Sequence, residues 1–309
     1  MADKKVPELQ PSDFEVVGNR TSETETLASK SISFWGEVSR RFIKNKLALI
    51  GFVTLAIIII GAICGPWISE FTYRQQNGDY NMAPNGTYWF GTDDLGRDIF
   101  TRVWVGARIS IFIGFAAAII DLIIGVAWGA VAGLTGGRTD EIMMRIADIL
   151  TAIPYLLVVI ILLVVMQPGL FPMIIALSLT GWVNMARITR SEILKLKNQE
   201  YVLAARTLGA NNLHLIKRHL LPNALGAILV TMTLTIPTAI FTEAFLSYLG
   251  LGVPAPLASW GTMANDGYPA LANAPWRLFF PAVLICLTIF AFNAVGDGLR
   301  DALDPKLRK

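Results

Sequence analysis

The chain is poor in charge, cysteine and histidine. Only 16% of its 309 residues are Asp, Glu, Lys or Arg, against about a quarter in ordinary soluble domains. With 54% hydrophobic residues and a mean hydropathy of +0.53, that shortage excludes a disordered chain and argues against a single soluble globule. The two cysteines, Cys64 and Cys286, lie in separate apolar stretches without ligand spacing, so neither a disulfide framework nor a zinc site is expected. The two histidines, His214 and His219, stand five residues apart, a spacing that does not put both on one face of an α-helix. No G-x-x-x-x-G-K-[ST], H-E-x-x-H, C-x-x-C or G-x-S-x-G occurs. Nucleotide-cradling, zincin, redox and serine-hydrolase chemistry go with them, and no catalytic, cofactor-binding or metal-ligating residue is expected.

What is present is apolar sequence in long runs. Six stretches, 47–68, 109–134, 146–166, 170–186, 224–246 and 278–296, cover 128 residues and hold only Asp121, Asp148 and Glu243 as charges. The other 181 residues carry a soluble-like charge density. About 20 apolar residues in helical form cross a bilayer core, and the alternating ten-residue strands of a β-barrel are missing. An all-α polytopic membrane protein with six transmembrane helices is predicted. The stretch 170–186, with Ser178, Thr180 and Asn184, is the weakest span. The first run begins at residue 47, later than a cleavable signal would, so span one reads as an uncleaved anchor. Residues 1–30 mix four basic with six acidic side chains and read as disordered. Arg40, Arg41, Lys44 and Lys46 then meet the lipid headgroups. The expected organisation is a cytoplasmic tail over 1–46, a membrane domain over 47–300 and a C-terminal tail over 301–309. With the N-terminus inside, 21 of the 26 Lys and Arg fall on the cytoplasmic side. The positive-inside rule therefore places both termini in the cytoplasm.

Charges inside a membrane point to function by default. Asp121 lies midway along span two and Glu243 late in span five. Helix–helix hydrogen bonding or cavity lining is one reading, and a proton relay is the other. Gly125, Gly129 and Gly133 form a small-residue stripe for close helix approach, while Pro154 and Pro237 interrupt spans three and five.

Residues 191–222 form the longest internal cytoplasmic loop and have a helix–break–helix plan. Gly209 supplies the break, Asn211 or Asn212 caps the second helix, and Leu213, Ile216 and Leu220 share a face. Pro222 ends that helix or starts the next span. Such an amphipathic segment lies on the headgroups or docks into a partner's groove.

Here the sequence resembles a known family. Ala204-Ala205, Gly209 and Leu221-Pro222 are similar to the cytoplasmic "EAA" loop of ABC importer permeases, with Leu203 where the name-giving Glu stands and His219 where Ile is usual. The variant E-Y-V-x-A-A-R-x-x-G, running from Glu200 through Arg206 to Gly209, resembles the peptide-type permeases. So do GTDDLGRDIFTRVWVGARIS at 91–110 and EAFLSYLGLGVPAPLASWGTM at 243–263. Over residues 35–309 the chain resembles the C-type permease subunit of dipeptide and oligopeptide ABC importers, a group that includes nickel importers.

The resemblance implies a type I importer permease in the bacterial cytoplasmic membrane, coupled to its motor through the 200–222 segment. Glu200, Ala204, Ala205, Arg206, Gly209, Leu213, Ile216, Leu221 and Pro222 carry that coupling. The implied partners are a homologous B-type permease, two cytoplasmic ATPases that hold ATP and Mg, an extracytoplasmic substrate-binding protein and membrane lipid, with no nucleic acid. Asp93, Asp94, Arg97, Asp98 and Trp260 are candidates for external docking. Nickel as cargo, or an ion-coupled carrier using Asp121 and Glu243, are the alternatives.

Overall fold

The structure is a computed structural model and describes residues 34–303. The disordered reading of 1–30 and the end of the C-terminal tail lie outside the described residues. Helix α1 (Phe34–Lys44) is tied along its surface by Arg41 and Glu37, 2.5 Å apart. Asn45 then caps α2 (Lys46–Ile68), its side chain accepting from the Ala48 N–H at 3.2 Å. Helix α3 (Ile99–Thr135) starts ten residues before the predicted span because Asp98 caps it, accepting from the Thr101 N–H at 3.0 Å. At 1.5 Å per residue its 37 residues reach about 55 Å, far beyond a bilayer core.

The predicted span 146–166 is not one helix. Helix α4 (Gly137–Ala152) and helix α5 (Tyr155–Met166) meet at 78°. Pro154 has no N–H to donate and pushes the residue before it out of the helical region; Ile153 is accordingly extended, at φ −79° and ψ 130°. Helix α6 (Leu170–Leu196) runs ten residues past the predicted limit, and α7 (Glu200–Thr207) follows. Helix α8 (Asn212–Leu251) begins well before residue 224. Pro222 therefore does not end a loop helix. It sits early in the α-helical segment Leu221–Leu246, directly after a π-helical turn over Leu215–Leu220. Helix α9 (Trp260–Gly267) opens on a capping box made by Ser259 and Thr262, and α10 (Trp276–Leu303) closes the described chain. Five of these helices are long and apolar enough to cross a membrane, and the bent α4–α5 pair makes a sixth if counted as one.

The glycine stripe does what small residues permit. A Cβ on Gly125 would lie 2.6 Å from that of Met185, and one on Gly129 would lie 2.8 Å from that of Thr189. Gly133 meets Ile193 in the same way, so α3 and α6 touch nearly backbone to backbone. Ile113 and Ala117 of α3 pack with Met173 and Leu177 of α6 and Leu163 of α5. The two ends of α3 then carry the molecule's two polar regions. At its start, residues 69–98 fold with 252–275 into a cap. At its end stands an elbow, residues 197–222, joining α6 to α8.

Candidate functional site

The elbow is built around Gly209, whose φ of +89° is left-handed backbone that favours glycine. Helix α7 closes with the Leu208 N–H donating to the Ala204 carbonyl at 3.0 Å. Asn211 restarts the chain as a helix, its side chain accepting from the His214 N–H at 2.8 Å. The π turn then changes the register. Leu215 and Leu220, five apart, are both buried with Val202, Ile193, Ala130 and Leu134. The predicted face of Leu213, Ile216 and Leu220 is corrected accordingly, since Leu213 is exposed and Ile216 half-buried. The same turn sets the rings of His214 and His219 5.6 Å apart, a proximity that α-helical spacing does not give.

The elbow brings the nine predicted coupling residues into one unit. Glu200, Ala204, Arg206, Gly209, Leu213 and Pro222 are exposed, while Ala205, Ile216 and Leu221 pack half-buried against its core. Two large apolar side chains that the motif did not single out join them. Leu203 is exposed and Leu208, at 88%, is nearly free of contact. Their signal was present as leucines in a polar loop. Lys197 fastens the base, donating to the Gly133 carbonyl at 2.8 Å, and Arg190 grips Asp140 of α4 at 2.5 and 2.6 Å.

Between the elbow and the cap, α3, α5, α6, α8 and α10 surround a cavity of about 1100 Å³. Asp121, Tyr155, Asn184 and Arg187 are on its wall. So is a stripe the sequence reading missed: Thr231, Thr235, Thr238 and Thr242 of α8. Their spacing of four, three and four residues is one helical face, legible as hydroxyls recurring through an apolar span. Each hydroxyl donates to the carbonyl four residues back, at 2.8 to 3.1 Å.

Asp121 and Glu243 are not brought together. Asp121 lines the cavity, whereas Glu243 is fully buried where α3, α8 and α9 meet. Ser110 Oγ donates to Glu243 at 3.0 Å and Ser247 Oγ at 2.8 Å, and Ser110 also accepts from the Trp260 N–H at 3.1 Å. That arrangement fastens the cap to the helices and leaves the ion-coupled alternative without its carboxylate pair. Asp148 pairs with Arg187 at 2.9 Å.

The external-docking candidates need correction. Asp93, Arg97, Asp98 and Trp260 are buried inside the cap, and of the five only Asp94 is exposed. Asp93 holds Arg97 at 2.6 Å and Arg102 at 3.3 Å. Asp98 accepts from the Ser69 and Thr101 hydroxyls besides capping α3. The Trp260 indole donates to the Val103 carbonyl at 2.9 Å. Arg277 reaches across from α10 to Asp94 at 3.2 Å and Asn81 at 2.9 Å. Burial raises the Asp266 carboxyl above the usual range, with Asp94 adding to the effect and Arg102, Arg97 and Arg277 opposing it. Among the described residues no group of three or more His, Cys, Asp or Glu is placed to hold a metal ion.

Residues 125–309 match the family described as the inner membrane component of binding-protein-dependent transport systems. The chain belongs to that family. Residues 33–84 of this permease also match the N-terminal transmembrane domain of oligopeptide transport permease C. It is 63% identical over 297 residues to the oligopeptide transport system permease protein OppC of Bacillus subtilis, covering 96% of this chain and 97% of that one. It is 52% identical to the dipeptide transport system permease protein DppC of the same organism, covering 99% and 98%. The Escherichia coli OppC is 38% identical, over 95% of this chain and all of that one. In structure, a chain of the MetNI methionine ABC transporter in an inward-facing conformation aligns with a TM-score of 0.52 at 20% identity. It covers 66% of this permease and 95% of that chain, and carries the fold alone. The permease is a non-catalytic membrane subunit, and its family places it in the bacterial inner membrane.

Proposed function

We propose that this permease is the C-type half of an ATP-driven importer of dipeptides and oligopeptides. The names of its relatives support the cargo. The observation that carries the mechanism is the continuity of α8. The helix runs from Asn212 at the elbow, through the π turn, to the edge of the cap, where Gly250 at φ +82° leaves helical geometry, and its middle is a wall of the cavity. A push on the elbow is therefore a push on the wall, without a flexible joint between them.

In this reading the bent α4–α5 pair is the third of six spans, the membrane domain extends over 47–300, and both termini are cytoplasmic, as the basic-residue bias supports. The elbow then faces the cytoplasm and docks on one of two ATPase subunits, which bind ATP and Mg. Leu203, Leu208 and Leu213 are the apolar contact, and Glu200 and Arg206 flank it. The cavity is half of a pathway completed by a B-type permease. The cap faces outward, where an extracytoplasmic binding protein meets its exposed surface. ATP binding favours one access state and hydrolysis resets the other, so cargo crosses without chemistry in this chain.

The test is Gly209→Val in the importer assembled in vesicles. A β-branched residue is strained at positive φ, so the elbow loses its angle. ATP-driven peptide uptake is expected to fall at least tenfold while ATP hydrolysis persists. Uptake at the wild-type rate overturns the coupling role.

A further inference from the structure

The cavity wall carries donors in Arg187, Lys195, Arg300, Asn184 and Asn223, and a separate set of hydrogen-bond acceptors along α8 and at Asp121. The four threonine hydroxyls of α8 spend their protons on their own helix, which leaves their oxygens as acceptors, that of Thr242 beside the Tyr155 hydroxyl. Asp121 adds a carboxylate. It is 97% buried by the 3% exposure of its residue, lines the cavity, and its Oδ1 has no hydrogen-bond partner among the described residues. Gly181 of α6 lies directly against that side chain: a Cβ there would meet Oδ2 first and then stand 2.9 Å from both Cγ and Oδ1, so a larger residue would displace the carboxyl. Glu192, the other acidic residue on the wall, is already satisfied by Lys195 at 2.7 Å. The cationic wall residues Arg187, Lys195 and Arg300 are not bonded to Asp121 in any contact of this structure, and Arg187 is held by Asp148.

A buried acceptor with no donor is costly unless a passing ligand supplies one. The group that suits it carries positive charge and several N–H donors, and a primary ammonium has both. We propose that Asp121, seated against Gly181 and followed along α8 by the threonine stripe, is the post that receives the amino end of the cargo peptide. The proposal rests on the cavity being half of the import pathway. It gives the pathway a preference of its own for a free amino terminus, separate from any choice made by a binding protein.

The experiment uses the importer assembled with its partner subunits, nucleotide-free in detergent, with no binding protein. Two tripeptides bearing a C-terminal benzophenone, one with a free amino end and one N-acetylated, are photo-crosslinked at millimolar concentration. The wild-type complex is expected to take up label from the free-amino peptide about tenfold more than from the acetylated one, the scale of one lost charged partner. Asp121→Asn is expected to erase that preference, Asp121→Glu to restore part of it, and Thr238→Val to reduce it several-fold. Equal labelling of the wild type by both peptides, labelling by neither, or a preference that survives Asp121→Asn overturns the post. So does failure of Asp121→Asn to assemble, which makes the residue a packing element. ATP-driven uptake of tri-alanine by wild-type vesicles is measured alongside. Its absence defeats the pathway reading itself, whereas uptake without labelling preference defeats the post alone.

Discussion

The cap and the elbow stand at opposite ends of α3, and each is a polar region joined to apolar helices. They handle their side chains in opposite ways. In the cap, charge is turned inward: Asp93 lies between Arg97 and Arg102, Asp98 collects two hydroxyls and two backbone N–H groups, and Arg277 spans to Asp94 and Asn81. Aromatic rings close over it, Phe90 stacked on Phe280 at 3.8 Å and Phe71 on Tyr88 at 4.7 Å. In the elbow, beside a buried core of Val202, Leu215 and Leu220, three leucines are turned outward: Leu203, Leu208 and Leu213 are exposed. A region whose polar groups satisfy one another resists change. A region with uncovered leucines is where the partner contact is proposed.

If the cap is a self-satisfied structure, breaking its central charge group has the largest effect in the molecule. Asp93→Ala leaves Arg97 and Arg102, both buried, facing each other without their shared carboxylate. Removing one side of a buried pair costs about 3–5 kcal/mol. The midpoint of thermal unfolding in detergent, followed by tryptophan fluorescence, is expected to fall by several degrees. An unchanged midpoint would show that the cap is not held together by its charges.

The converse holds at the elbow, where changes alter association and leave stability alone. Charging the tip by Leu203→Glu with Leu208→Glu puts two carboxylates where apolar contact is proposed. Retention of ATPase subunits on affinity-purified permease is expected to drop at least tenfold, about 1.4 kcal/mol, with the unfolding midpoint unmoved. Full retention would remove these leucines from the contact. A smaller effect is expected from the cap of the elbow's second helix. Asn211→Ala frees the His214 N–H and costs about 1 kcal/mol. Faster amide hydrogen exchange confined to 212–220 would register it, and uniform exchange would contradict it.

The membrane helices were legible because apolar runs are long and dense; the helix ends were not. Residues 99–108, 187–196 and 212–223 are helical yet too polar to register as span. Pro154 was visible as an interruption within one span, but whether a proline bends or breaks a helix depends on what the freed groups find around them. The π turn left no trace in spacing, and it alone explains why Leu215 and Leu220 are both buried and why the two histidines meet. The cap's charges were misassigned because spacing does not show burial: Asp93 meets Arg97 only four residues on, and Asp98 meets Thr101 three residues on, yet all four are buried. The 200–222 segment was legible as a motif, whereas the threonine stripe was passed over because threonine in a membrane helix excites no suspicion singly.

The smallest effect tests the boundary between the two regimes. Two ion pairs fasten α4 to α6 near the elbow, and they differ in burial and geometry. Arg190 grips Asp140 with two nitrogens, and the aspartate side chain is 11% exposed. Arg187 meets Asp148 with one nitrogen, and both side chains are about half exposed, at 44% and 53%. Water screens the second pair and competes for it, so Asp148→Ala is expected to cost no more than about 0.5 kcal/mol. The bidentate, partly buried grip resists that screening, and Asp140→Ala is expected to cost about 1–2 kcal/mol. Paired unfolding curves decide the matter. If the two substitutions cost the same, burial does not grade the charges at this end of the molecule, and the contrast between a self-satisfied cap and an open elbow cannot be drawn from exposure.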